Sequence, residues 1–70
     1  MIIISKTFID GSEIELKRTK KPNAIYNLRL RLSKDVSFGE WKKIKPRSKL
    51  ERQIESCKNI NDFLTFIIYD

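Results

Sequence analysis

The sequence contains no histidine and only one cysteine, Cys57. Without histidine, the commonest general base at neutral pH is missing, and a zinc site of cysteines and histidines is excluded. A single cysteine forms no disulfide within the chain, and Cys57 has no imidazole to activate it as a nucleophile. The two glycines, Gly11 and Gly39, fit no known phosphate-binding loop. We therefore expect a protein that is not an enzyme and that requires no metal or cofactor.

Long hydrophobic runs are also missing. Residues 1–4 are apolar, but Lys6 ends the run before it reaches the length of a secretory signal or a membrane span. Together with the single thiol, this predicts a cytoplasmic protein with no membrane contact. Alanine occurs once, whereas isoleucine, lysine and asparagine are common, a bias typical of AT-rich genomes such as those of many phages. A phage or other viral gene would place the protein in the host cytoplasm.

Basic residues are what the sequence has in excess. There are 15 Lys and Arg against 9 Asp and Glu, which gives a formal net charge of +6. Residues 17–58 hold fourteen of the basic residues and only four acidic ones, whereas the segments on either side are both acidic. A basic middle between acidic ends predicts one localised surface for an anionic partner.

The first half of the chain has the pattern of a β-meander. Residues 2–9 are rich in β-branched side chains, residues 13–20 alternate between apolar and charged side chains, and Asp10-Gly11-Ser12 between them is a turn signal. Lys21-Pro22-Asn23 breaks the chain before residues 24–32, the clearest strand. Its apolar face, which we expect to be buried, comprises Ala24, Tyr26, Leu28, Leu30 and Leu32.

The second half has helical spacing. Ser37 and Glu40 fit a capping box at the start of a helix that would direct Trp41 and Ile44 inward and end at Pro46. A second capping box at Ser48-Lys-Leu-Glu51 opens a helix whose apolar stripe consists of Leu50, Ile54 and Cys57. On that stripe Cys57 is expected to be a packed thiol.

The last twelve residues fit two structures. Five apolar residues lie on one helical face, and Asn59 with Asp62 fits a helix start, yet residues 63–69 also fit a doubly buried strand. The helix is favoured, with the face Ile60, Phe63, Leu64, Ile67 and Ile68. The sequence thus predicts one small α+β domain, residues 1–70, in which a three-stranded antiparallel meander is followed by two or three short helices packed on one face.

Twelve basic residues are the candidate site. Phosphate binding needs cations at this density, because neutralising phosphates releases condensed counterions. The candidates are Lys17, Arg18, Lys20, Lys21, Arg29, Arg31, Lys42, Lys43, Lys45, Arg47, Lys49 and Arg52. Tyr26 and Trp41 are candidates for base stacking, but both lie on apolar faces and are expected in the core.

An acidic cluster near the first turn has two interpretations. Asp10, Glu13 and Glu15 carry the oxygen ligands that a hard cation prefers. Such groups are more often solvated hairpin surface, and that interpretation is favoured here. No metal site is therefore expected.

The third strand and the segment after it resemble a known family. A strand of the Leu28-Arg-Leu-Arg-Leu32 type is followed by a short turn and by Ser37-Phe-Gly-Glu40-Trp41-Lys-Lys-Ile44, expected to be a helix that opens with Glu40-Trp41. This order resembles the positive-cofactor-four family of small single-stranded-DNA-binding transcription coactivators. Those proteins are built as a curved antiparallel sheet of four strands followed by a helix, and they dimerise. The resemblance covers residues 2–56. It implies a homodimer, and contacts with the nucleic-acid backbone through Lys17, Arg18, Arg29 and Arg31.

The leading hypothesis is a small binding protein that holds single-stranded DNA or RNA on its basic surface. The alternative is a phage or mobile-element inhibitor that binds an acidic surface of a host protein, such as a nuclease, a polymerase or a CRISPR complex. A third hypothesis is a structural subunit whose apolar C-terminal segment docks on a neighbour. The sequence does not choose between DNA, RNA and protein.

Overall fold

A computed structural model describes residues 1–20, 22–46 and 49–69 of the chain. In these ranges the protein has four strands, which form one antiparallel sheet in the order β1-β2-β3-β4, and two helices. The elements are β1 (Ile2–Thr7), β2 (Glu13–Arg18), β3 (Tyr26–Arg31), β4 (Lys42–Ile44), α1 (Leu50–Ser56) and α2 (Ile60–Tyr69). The α+β class and the antiparallel sheet are confirmed, but the described sheet has four strands rather than three.

The turn between β1 and β2 forms where the sequence predicts it. Gly11 has φ +88°, a conformation that glycine adopts at no steric cost. One carboxylate oxygen of Asp10 accepts hydrogen bonds from the Ser12 hydroxyl at 2.6 Å and the Ser12 main-chain N–H at 2.9 Å. These two bonds hold the pKa of the Asp10 carboxyl below its ordinary value, since both favour the ionised form. The turn therefore fixes the register of the first hairpin.

The register of the sheet separates an apolar face from a polar one. Ile14 lies opposite Leu30 and Leu16 opposite Leu28, and both residues of β2 are fully buried. Successive side chains of a strand point to opposite faces, so the intervening residues lie on the other side of the sheet. We call that side the open face; its charged residues are Glu13, Glu15, Lys17, Arg29, Arg31 and Lys43.

Both helices pack on the apolar face. The helix residues Leu50, Ile54, Ile60 and Phe63 belong to one buried cluster with the apolar side chains of β2 and β3. Cys57 is buried in the same cluster, as the predicted stripe of α1 requires. The last segment is helix rather than strand, and it begins as predicted, with the Asp62 main-chain N–H donating to the Asn59 side chain at 2.9 Å. No helix in the described ranges is long and apolar enough to cross a membrane.

The helix predicted from the first capping box is wrong. Residues 37–41 have no regular structure, and Lys42–Ile44 form β4 beside β3. The Gly39 main-chain N–H donates to the Leu30 carbonyl at 3.1 Å, which aligns the chain with the outer edge of β3. An isolated helix between Ser37 and Pro46 would be short and marginal in water, whereas pairing satisfies main-chain groups of β3 that otherwise lack partners.

Two further details of the predicted elements differ. Leu32 is 63% exposed because β3 ends at Arg31, so the alternation that would have buried Leu32 is broken. The second capping box depends on Ser48, which lies outside the described residues. The residue that caps α1 is Lys49, which makes no side-chain capping bond.

A lysine joins the first strand to the first helix. Lys6 extends its ammonium group to the end of α1, where it donates to the Glu55 carbonyl at 2.6 Å and the Cys57 carbonyl at 2.9 Å. Carbonyls in the last turn of a helix lack partners within the helix, and they carry the negative end of its dipole. Lys6 therefore closes the C-terminal end of α1 from a strand about fifty residues earlier in the chain.

Candidate nucleic-acid interface

Trp41 lies on the open face rather than in the core. It immediately precedes β4, in which Lys42 pairs with Leu28 on the helix-covered side, so the preceding side chain points the other way. The ammonium group of Lys17 is 4.2 Å from the centroid of the indole, and the guanidinium of Arg29 is 4.5 Å from it. The predicted helix would have put Trp41 and Ile44 on one side, but the period of a strand puts them on opposite sides.

Phe38 is a site residue that sequence reasoning missed. Its ring lies 4.4 Å from the guanidinium of Arg29 and 4.9 Å from that of Arg31. The five side chains form a continuous row across the open face, which we call the aromatic–cation row: Lys17, Trp41, Arg29, Phe38 and Arg31. Both rings are half-buried, so each keeps part of its surface in water. No periodic signal in the sequence marks Phe38, because residues 37–41 have no regular structure.

Two cations of this row are also held by carboxylates. Arg29 donates to Glu15 at 2.5 and 2.7 Å, and Arg31 donates to Glu13 at 2.6 Å. These glutamates belong to the acidic cluster considered above as a cation site. In the described residues no group of three potential metal ligands is found, and both glutamates are taken up by cross-strand ion pairs. The pairs orient the guanidinium groups and offset part of their charge.

The remaining positive charge of the open face comes from lysines. Lys17, Arg29, Arg31 and Lys43 supply four positive charges against the two carboxylates, so the face keeps a net excess of two. Lys43 is exposed and, within the described part of the chain, has no ion-pair partner. The open face thus has a modest net positive charge and carries both acidic and basic side chains.

The other candidate cations occupy different parts of the surface. Arg18 does not lie on the open face; it pairs with Glu51 and so joins the end of β2 to α1. Lys49 and Arg52 are exposed on the helix layer, on the opposite side of the sheet. Lys49 and Arg52 are therefore separated from the cations of the open face.

Three further candidates lie in a loop or at the edge of the sheet. Lys20 is exposed between β2 and β3, while Lys42 and Lys45 are exposed at β4. Lys21 and Arg47 lie outside the described residues. The structure thus brings together Lys17, Arg29, Arg31 and Lys43 on one face. Lys42 lies on the helix-covered side of the sheet, and Lys20 and Lys45 lie beyond the ends of their strands.

Cys57 takes no part in this surface. Its thiol is buried in the core and donates to the Ile54 carbonyl at 3.1 Å. Burial raises the pKa of the Cys57 thiol above its ordinary value, which keeps it protonated and unreactive. The expected packed thiol is confirmed.

Comparison with protein-family models, with curated proteins and with solved structures finds no match to this chain. What the open face can do must therefore be inferred from its own geometry.

Proposed function

We propose that the open face binds single-stranded nucleic acid. The observation that carries this proposal is the aromatic–cation row, in which Trp41 and Phe38 alternate with three cations on a sheet face that no described helix covers. Aromatic rings offer every base a surface for stacking, and neighbouring cations neutralise the phosphates between the bases. Both requirements are met within one row of side chains.

The shape of the face favours a single strand over a duplex. A duplex hides the flat surfaces of its bases, and its grooves are read by an inserted helix or a two-stranded ribbon. On the open face the described residues form a sheet surface, with neither a helix nor a separate two-stranded ribbon projecting from it. A single strand can lie across the sheet with its bases on Trp41 and Phe38, and with its phosphates near Lys17 and Lys43. The ring contacts are tolerant of sequence, so little base specificity is expected.

The resemblance noted above implies the same function, although the helix it places at Glu40-Trp41 is absent and these residues lead into β4. A four-stranded antiparallel sheet followed by a helix is the architecture that the resemblance implies. Three of the four cations that it assigns to nucleic-acid contacts, Lys17, Arg29 and Arg31, lie on the open face. Arg18 departs from it, because its guanidinium is paired with Glu51 of α1.

The test is a filter-binding titration with labelled twelve-nucleotide DNA, RNA and duplex DNA at low and physiological salt. We expect the single strands to bind more tightly than the duplex, with a log–log salt slope of about −0.7 per phosphate neutralised. Trp41→Leu and Phe38→Leu should each weaken binding by about 1–3 kcal/mol, the usual contribution of one stacked base. Leu32→Ala, which alters an exposed apolar side chain outside the row, is the matched control.

Failure of the proposal has a clear form. If no nucleic acid binds at low salt, where electrostatic attraction is strongest, the open face does not serve this function. An acidic protein surface then becomes the better partner for its cations. If binding persists unchanged in both ring variants while the salt slope is normal, the cations alone hold the ligand and the row has no role in stacking.

A further inference from the structure

A cleft separates α2 from the outer half of the sheet, on the face opposite the aromatic–cation row. Its volume is about 370 Å³. The walls are mainly apolar and come from both layers: Leu28, Leu30 and Ile44 of the sheet, and Leu64 and Ile67 of α2. All of these except Leu28 are only half-buried, and Leu30, Ile44 and Ile67 pack against the core. The helix layer therefore leaves room for further apolar side chains beside β4.

The strand beside this cleft has a free edge. β4 is the last strand of the described sheet and pairs only with β3. The main-chain groups on its outer side are thus directed away from the sheet, where an extended chain can pair with them. A strand added there would direct every second side chain toward the same face as Lys42 and Ile44, which line the cleft.

The charge around this edge selects the partner. Lys42, Lys43 and Lys45 are all exposed, and within the described ranges none of them takes part in an ion pair. Lysines on an edge strand repel another copy of the same edge, and the net charge of +6 adds to that repulsion. The same lysines attract carboxylates, and among the described residues Glu40 is the one acidic residue that lines the cleft.

We propose that β4 and the adjoining cleft bind an extended segment of a partner protein in which apolar and acidic residues alternate. The segment adds to the free edge of β4 as a fifth strand. Its apolar side chains enter the cleft between Ile44 and Leu64, and its acidic side chains lie on the other side near Lys43. The cleft lies on the other side of the sheet from the rings of the aromatic–cation row, although Arg29 borders both and Lys43 belongs to the open face. The proposal does not depend on nucleic-acid binding.

A defined peptide tests the proposal directly. The probe is the acetylated, amidated peptide Ser-Glu-Val-Asp-Leu-Glu-Val-Asp-Gly, titrated into the ¹⁵N-labelled full chain. We expect amide shift changes concentrated at residues 42–44 of β4 and at residues 64 and 67 of α2. Two control peptides separate the contributions, one with lysine at each acidic position and one with alternate main-chain amides methylated. Each should bind at least tenfold more weakly, because the first reverses the charge and the second blocks strand pairing.

Variants of the chain locate the contact. Leu64→Glu places a carboxylate in the cleft and should weaken peptide binding at least tenfold. Asn61→Glu makes a similar change in charge at an exposed position of the same helix and should change binding less than twofold. If the thermal melt of Leu64→Glu shows loss of the fold, Leu64→Ala replaces it; this change removes apolar wall and should still weaken binding.

Three results would overturn the proposal. The first is the absence of shift changes at millimolar peptide, and the second is equal binding of the lysine peptide. The third is a concentration-dependent dimer, seen by sedimentation and abolished by Leu64→Glu, which would make a second copy of the chain the occupant of the cleft.

Discussion

Replacing both Glu13 and Glu15 by glutamine should tighten nucleic-acid binding while it weakens the fold. The double change removes two carboxylates from the open face and leaves its four cations in place, so the net charge of that face rises from two to four. It also breaks the ion pairs with Arg29 and Arg31. The guanidinium groups then become available to phosphates instead of carboxylates.

The size of the gain follows from Coulomb's law. Removing one negative charge about 8 Å from a phosphate makes the binding free energy more favourable by about 0.5 kcal/mol at the dielectric constant of water. Two such changes give about 1 kcal/mol, or roughly fivefold tighter binding at low salt. At physiological salt the Debye length is about 8 Å, so the gain should fall to about a third of that free energy. Partly exposed ion pairs contribute about 0–1 kcal/mol each, so the fold should lose at most about 2 kcal/mol.

The assay is filter binding of a labelled twelve-nucleotide strand at two salt concentrations, with stability measured separately by urea unfolding. The matched control is Glu51→Gln with Glu55→Gln, which also removes two carboxylates and breaks one ion pair, but on α1. The control should gain less affinity, because its charges lie on the far side of the sheet. Unchanged or weaker binding by a folded Glu13→Gln, Glu15→Gln protein would falsify the assignment of the open face.

Three predictions concern stability. Leu16→Ala should lower the free energy of unfolding by about 2–5 kcal/mol, because Leu16 is fully buried. Leu32→Ala is the control and should change that free energy by less than about 0.5 kcal/mol, because Leu32 is exposed. Urea titration measures both variants. Lys6→Met should cost about 1–2 kcal/mol in the same assay because the last carbonyls of α1 lose two charged hydrogen bonds, and an unchanged midpoint would show that water replaces them fully. Hydrogen bonds from Ser12 hold the folded pKa of Asp10 below its ordinary value of 3.8, so the stability that they contribute is present above pH 3.8 and is lost as the pH falls through the folded pKa. Asp10→Ala should therefore be less stable than the parent at pH 6, and the difference in urea midpoint should shrink as the pH falls below 3.8. A difference that stays constant would contradict the role of the Ser12 hydrogen bonds.

The first three strands could be predicted because local signals determine them. Alternation marks one buried face in each of β2 and β3, and Gly11 supplies the positive φ that the first turn requires. The two helices could also be predicted, because each has apolar residues at helical spacing that follow a capping signal in the sequence. In these segments local preference and the final packing agree.

Residues 37–44 could not be predicted because their structure depends on a distant partner. The capping-box pattern at Ser37 and Glu40 is a local signal, whereas β4 exists because the edge of β3 can pair with it. Because this segment was assigned a helical period, Trp41 was expected to point into the core. Its place on the open face was therefore missed. The ion pairs of Glu13 and Glu15 were hidden for a related reason, because a shift of one residue in register would have placed different charges opposite each other.

The position of Trp41 also determines what an optical measurement on this protein reports. It is the only tryptophan in the chain, so it accounts for nearly all of the fluorescence excited at the red edge of the indole band. Its ring lies over Lys17 and Arg29, outside the apolar core, and is half-exposed to water. Its emission therefore responds to what contacts the open face more than to the packing between sheet and helices. Unfolding of the core is better followed by circular dichroism. Intrinsic tryptophan fluorescence can report ligand binding at the open face without an added label.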